Sequence, residues 1–355
     1  MAQTNYLLVG TYTNKGSEGI YVYKFDEQTG KASWVSNTND VKNPSYLTVT
    51  ENGKSVYAVN ETNGKEPGKV SAFSFNKKTG ELRFLNQQLS GGDDPCYVAT
   101  SKNDKWLAVG NYSGGNFAVY KINKDGSLPS YNQLVQHEGK SVNESRQSSA
   151  HVHSTVFSPE GDFLFVPDLG LDKIMIYNFS PSVNKPLNPA STPFVKAVAG
   201  NGPRHIIFSP NKKFAYLAEE MSGTVAAFEY KNGQLNLIQR LPAHENDFKG
   251  DIGGADIHAS PDGKFLYVSN RGDQNSISIF SIDQQTGKLT LAGAQSTLGL
   301  TPRNFMIDPS GTFLIVANQN SDNIVIFKRD KQTGLLSDTG ERIHVSSPVC
   351  VKMIN

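Results

Sequence analysis

Pairs of short apolar runs joined by polar turns punctuate this chain. The clearest pair lies in GNGPRHIIFSPNKKFAYLAEE (200–220), where HIIF and FAYLA flank the turn SPNKK. Both runs are rich in Ile, Phe, Tyr and Leu and are bounded by breakers, which predicts a β-hairpin rather than a helix. Antiparallel legs bring the end of the second run beside the start of the first. Arg204 and His205 are therefore expected at the same end of the hairpin as Glu219 and Glu220.

The pattern repeats. Turns of the same kind stand at TENGK, SKNDK, SPEGD, SPNKK, SPDGK and DPSGT, six copies between residues 50 and 312. Aligning the second legs puts Asn60, Asn111, Asp168, Glu219, Asn270 and Asn318 in one column, at intervals of 51, 57, 51, 51 and 48 residues. The next column holds Glu61, Tyr112, Leu169, Glu220, Arg271 and Gln319. A third strand, alternating on period two, recurs seven times with Tyr23, Phe73, Tyr120, Tyr177, Phe228, Phe280 and Phe327 at its aromatic position, and polar fourth strands such as ELRFL follow. Near-constant spacing over the whole chain is the mark of a repeat architecture. YLLVGTY (6–12) reads as a second leg with no first leg before it, and PVCVKMI (348–354) as a first leg with no partner after it. Together they complete one sheet and close a ring, which removes exposed sheet edges. The expected fold is all-β: a seven-bladed β-propeller with four antiparallel strands per blade, one domain over 1–355, and no helix. Polar excursions at 132–150 and 242–254 read as long loops between blades.

Composition narrows the partners. A net charge of +1 gives no global field for nucleic acid or a membrane surface, so attraction for an anion has to be local. No apolar run approaches the roughly 18 residues of a membrane span. MAQTNYLLVG has neither a basic region nor a separate apolar stretch of a signal peptide. The two cysteines, Cys96 and Cys350, start strands in non-neighbouring repeats, so no disulfide is expected between them. A cytoplasmic protein is the resulting expectation. Nothing in the sequence sets an oligomeric state.

In a propeller the first strand of each blade lines the central channel, and first-strand starts and second-strand ends open on one face. Ring symmetry should then gather His151, His153, Arg204, His205, Glu219, Glu220, Asp256, His258, Arg271, Arg303 and Gln319 at one mouth. The Asn column reads first as turn and channel polarity, His258 equally as a buried hydrogen-bonded histidine, and Asp168 and Asp172 as loop anchors. Glu61 and Glu219 are candidates for simple ion pairs. Three arginines beside paired carboxylates in a near-neutral chain point instead to an oxyanion or phosphate site.

GTYT (10–13), HVHSTVFSPEGDFLFVPDLGLD, GPRHIIFSP, Glu219-Glu220, ADIHASPDGKFLYVSNRG and PRNFMIDPSG together resemble the seven-bladed lactonase family, which contains bacterial propeller-type 6-phosphogluconolactonases and fungal carboxy-muconate lactonising enzymes. The resemblance spans essentially all 355 residues. It implies a site without metal or cofactor, built from one His, two Arg and one Glu: His153, Arg204, Glu220 and Arg271. His151, His205, Arg303 and Gln319 are expected as further substrate contacts. Where the family commonly has Asn-Glu, this chain has Glu219-Glu220. The reaction implied is hydrolysis of a sugar lactone, 6-phosphoglucono-1,5-lactone first, an anionic small molecule of the pentose phosphate pathway. His153 or Glu220 would be the base, Arg271 the oxyanion donor, and Arg204 with Arg303 the anion clamp. Alternatives are lactonisation of a muconate-type diacid, a calcium site on Asn111, Asp168, Glu219 and Asn270, and a non-catalytic binding propeller.

Overall fold

The turn residues dictate the blades. At each of the six turns the first residue, Thr50, Ser101, Ser158, Ser209, Ser260 or Asp308, accepts a side-chain hydrogen bond from the first backbone N–H of the returning strand. The fourth residue closes a turn onto the first and has positive φ, as at Gly161 (86°) and Gly263 (72°). Glycine meets that requirement without steric cost. The computed structural model describes residues 5–39, 41–244 and 248–354.

Seven four-stranded antiparallel sheets result. The first blade is assembled from both ends of the chain: Pro348–Ile354 pairs with Asn5–Thr11, followed by Ile20–Phe25 and Ala32–Thr38. The hairpin read first from sequence is Pro203–Phe208 against Phe214–Glu219, the inner half of the fifth blade. Helix is confined to two three-residue 3-10 turns among the described residues, and no helix is long and apolar enough to cross a membrane.

One expectation needs correction. The excursion at 132–150 is not all loop, because Gln133–Gln136 forms the outer strand of the third blade. Its QLVQ alternation is too short to stand out from the polar sequence around it. The excursion at 242–254 is framed by strands ending at Pro242 and beginning at Ile252, with 245–247 outside the described residues, as are residues 1–4 of the segment read for a signal peptide.

The core sits between blades. All seven aromatic positions of the third strands are buried, and each apolar cluster mixes residues of adjacent sheets, as where Tyr216 and Ala227 meet Ile257 and Phe280. A blade alone would leave both faces wet. Side chains also stitch neighbouring first strands together around the channel: Asn304 accepts from Val351 N at 2.7 Å, and Cys350 Sγ accepts from Leu47 N at 3.3 Å. Both cysteines are buried and unpaired with each other, and burial pushes the Cys350 thiol up to about 11.

Deleting residues 348–354 should remove the inner strand of the first blade and open pairing edges on Asn5–Thr11. Cooperative thermal unfolding is expected to be lost, or aggregation to set in. A truncated protein with an unchanged melting curve would disprove the closure.

Candidate active site

The first and second strands of the blades pair with a repeated irregularity. Pro203 opposes Glu219 and His205 opposes Ala218, which leaves Arg204 as an extra residue. Cys96 and Arg303 are extra in the same way in the third and seventh blades. Such a bulge breaks the alternation of the strand and re-aims the side chain. In the fourth blade the inner strand is reduced to Val156–Phe157 plus a bridge between Val152 and Asp168, and His153 occupies the matching position. Cys96, His153, Arg204 and Arg303 thereby face one cavity of 710 Å³. The residues just past the second-strand column, Glu61, Tyr112, Glu220 and Arg271, supply the facing wall.

Glu220 is the hub. Its Oε2 contacts Arg204 Nη1, lies 3.1 Å from Arg271 Nη2 and 3.5 Å from His153 Nε2, while Oε1 meets Arg146 Nη2 at 2.6 Å. Burial alone would raise its pKa, but Arg271 and Arg204 outweigh that and hold the carboxyl well below its ordinary range. Arg204 is anchored inside the protein: Nε donates to Ala255 O at 2.8 Å and Nη1 to His153 Nε2 at 2.6 Å. A guanidinium only donates, so His153 Nε2 is the acceptor and its proton resides on Nδ1, 3.7 Å from Cys96 Sγ. Nε2 cannot also donate to Glu220, and the shorter contact decides. Burial first, and Arg204 second, push the His153 pKa well down, so the ring is neutral. Burial lowers Arg271 to about 10 against the pull of Glu220, and its Nε lacks a hydrogen-bond partner among the described residues. Arg303 lies 3.6 Å from Glu61 and over the Tyr12 ring.

Other expected site residues lie elsewhere. Glu219 turns into the blade, where Arg240 Nε reaches it at 2.8 Å and Asn201 and Thr224 also donate to it. His151 stacks on Tyr112 and donates from Nδ1 to the Tyr112 carbonyl at 3.0 Å, so it supports the wall from behind. His205 lies below the cavity, donating to Asp256 Oδ1 at 2.8 Å, and His258 reaches the other oxygen of Asp256 at 3.0 Å. Gln319 starts a 3-10 turn and does not line the cavity. The proposed calcium oxygens are dispersed: Asp168 holds His137, Glu219 holds Arg240, and Asn111 and Asn270 donate to Ser90 and Ser278. No cluster of three or more His, Cys, Asp or Glu side chains suited to a metal ion occurs among the described residues. Arg146 and Tyr112 entered through geometry the sequence reading did not weigh. Tyr112 stood in the right column, whereas Arg146 belongs to no repeat.

A model of the family described as "Lactonase, 7-bladed beta-propeller" matches residues 6–353. This chain belongs to that family. It is 38% identical to a 6-phosphogluconolactonase of Formosa agariphila over 98% of this chain and 99% of the relative. Identity is 37% to a 6-phosphogluconolactonase of Bacillus subtilis, over 98% and 97%. Among solved structures, the periplasmic gluconolactonase of Pseudomonas aeruginosa superposes with a TM-score of 0.95 at 39% identity, covering 99% of each chain. The lactonase fold and family expected from the sequence are thus borne out.

The buried histidines set a pH response. Burial pushes His205 down to about 4 and His153 well below 6.5, whereas both would titrate near 6.5 in the unfolded chain. Between those limits the unfolded chain binds more protons, so stability falls as pH falls from about 6.5 towards 4. The thermal midpoint should drop over that window and His205→Asn should flatten the drop. A midpoint constant from pH 7 to 4.5 would mean that these rings titrate in the fold as they do in the unfolded chain.

Proposed function

We propose that the protein hydrolyses 6-phosphoglucono-1,5-lactone to 6-phosphogluconate. The observation that carries this reading is the Glu220 carboxylate gripped by Arg204 and Arg271 in a cavity where four guanidinium groups face two carboxylates. The excess of positive charge selects an anionic substrate, and the relatives named 6-phosphogluconolactonase support the identity of the lactone. The reaction is placed in the cytoplasm, where a phosphorylated sugar is retained.

Glu220 takes a proton from water as the resulting hydroxide adds to the lactone carbonyl carbon. Arg271, which lines the cavity with Nη2 3.1 Å from Glu220, stabilises the oxyanion that forms. Collapse of the tetrahedral species breaks the bond to the ring oxygen, and the proton held by Glu220 passes to that oxygen as it becomes a hydroxyl. His153 is assigned a positioning role, because its Nε2 lone pair is occupied by Arg204 at 2.6 Å. Arg204 fixes both Glu220 and His153, and Arg303 contacts the sugar from the same wall. A base weakened by its neighbours suffices because a six-membered lactone opens readily.

Glu220→Gln and Arg271→Ala should each lower kcat/KM by about 10²-fold or more, as expected for loss of a base or an oxyanion donor. His153→Asn should cost only about 10-fold. A His153→Asn loss equal to that of Glu220→Gln, with the neutral limb of the pH profile gone, would make His153 the base.

Dialysis against EDTA should leave lactonase activity unchanged, since charge at the oxyanion is balanced by arginine. Activity lost on chelation and restored by calcium would overturn this assignment.

A further inference from the structure

The four arginines of the cavity differ in freedom. Arg204, Arg271 and Arg303 arise from strand starts and ends, with side chains only 2%, 17% and 16% exposed. Arg146 comes from the loop that follows the outer strand of the third blade, and its side chain is 45% exposed. Its Nη2 donates to Tyr112 Oη at 3.2 Å and to Glu220 Oε1 at 2.6 Å.

The loop backbone beneath it is pinned. Asn143 Oδ1 accepts from the N–H groups of Ser145 (3.2 Å) and Arg146 (3.1 Å), and Gln147 N donates to Asn143 O at 2.7 Å. The Gln147 side chain is buried and donates to Leu169 O at 2.8 Å. The base of Arg146 is thus fixed, while its guanidinium can swing by rotamer changes at the cavity rim. Glu220 would not be left unpaired by such a swing, because Arg204 and Arg271 remain on Oε2. Of its three arginines, Arg146 is the most exposed, and its departure leaves the buried charge compensated by two others.

We propose that Arg146 is the specificity arm of the site: in the empty enzyme it caps Glu220 Oε1, and on binding it transfers to the phosphate of the substrate. This rests on the lactonase reading above. A phosphomonoester carries nearly two negative charges at neutral pH and offers three acceptor oxygens, which a guanidinium matches in bidentate fashion. Glu220 offers Arg146 one oxygen of a carboxylate already shared with two other cations. The exchange also uncovers Oε1, the oxygen that faces no other cation, so phosphate recognition and release of the base are one event. A substrate lacking the phosphate leaves Arg146 in place and meets a capped carboxylate.

The test compares wild type, Arg146→Gln and Arg146→Lys on 6-phosphoglucono-1,5-lactone and on unphosphorylated glucono-1,5-lactone. In Arg146→Gln the ratio of the two kcat/KM values should fall about 10- to 100-fold, the scale of a charge-assisted contact. The loss should be concentrated on the phosphorylated lactone, and Arg146→Lys should recover part of the ratio. An unchanged ratio, or equal losses on both lactones, overturns the proposal. Calorimetric binding of 6-phosphogluconate and gluconate to the same proteins separates it from the reading it rests on. A wild type that hydrolyses neither lactone refutes the lactonase function, and the arm then stands only if it prefers the phosphorylated acid and Arg146→Gln abolishes that preference. No preference in the wild type, or one that survives Arg146→Gln, removes the arm.

Discussion

A four-stranded blade has two apolar faces and cannot bury either by itself, and every other feature of the structure answers to that constraint. Each sheet is covered by the two beside it, so the arrangement is stable only when the last blade meets the first. The pairing of Pro348–Ile354 with Asn5–Thr11 provides the meeting, joining residues at opposite ends of the sequence. Side chains reinforce the seam where sheets only touch, with Asn304 bonded to Val351 and Cys350 to Leu47. Loop-closure cost rises slowly with length, and one cross-strand ladder is enough to hold the ring.

Closure also determines where chemistry can occur. Seven inner strands around one axis converge at their ends, so a residue type repeated at one register of the chain becomes a neighbour of its repeats in space. The bulge at the second inner-strand position converts that neighbourhood into a site. Without it Arg204 would alternate with its strand neighbours; with it, Cys96, Arg204 and Arg303 join His153 facing the cavity. Below this layer Tyr46, Tyr97 and His205 pack edge to face and stacked, and Asp256 ties His205, His258 and Asn304 together. This bonded polar and aromatic layer packs against the cavity lining through the edge-to-face contact of His205 with His153.

The period near 51 residues made the blades, the ring closure and both site columns legible in the sequence, because in a ring the register alone fixes which residues meet. It did not say which way a side chain turns at a strand end. Glu219 and Glu220 are adjacent, yet the first closes the second-strand column and points into the blade towards Arg240, while the second points into the cavity. His205 was misplaced for the related reason that the bulge at Arg204 sends its neighbour downwards to Asp256. Gln319 was aligned correctly but sits in a 3-10 turn that removes it from the wall. Arg146 lies in a non-repeating loop, where periodicity carries no information, and only the Asn143 turn places it.

The same carboxylate explains why that loop matters. Clustering Arg204 and Arg271 on Glu220 makes a buried anion tolerable, but each added cation lowers the basicity that the proposed mechanism asks of it. Two arginines anchored in strands satisfy the burial requirement, as both stay on Oε2. A third, on Oε1, is half exposed and is not needed to compensate the buried charge. A strand-borne residue in that place would weaken the proposed base permanently. A long side chain rooted in a pinned loop can instead occupy the oxygen when the cavity is empty and leave it when a stronger anion arrives, so in the proposed reading the rim supplies the variable part of a site whose other cations are anchored in strands.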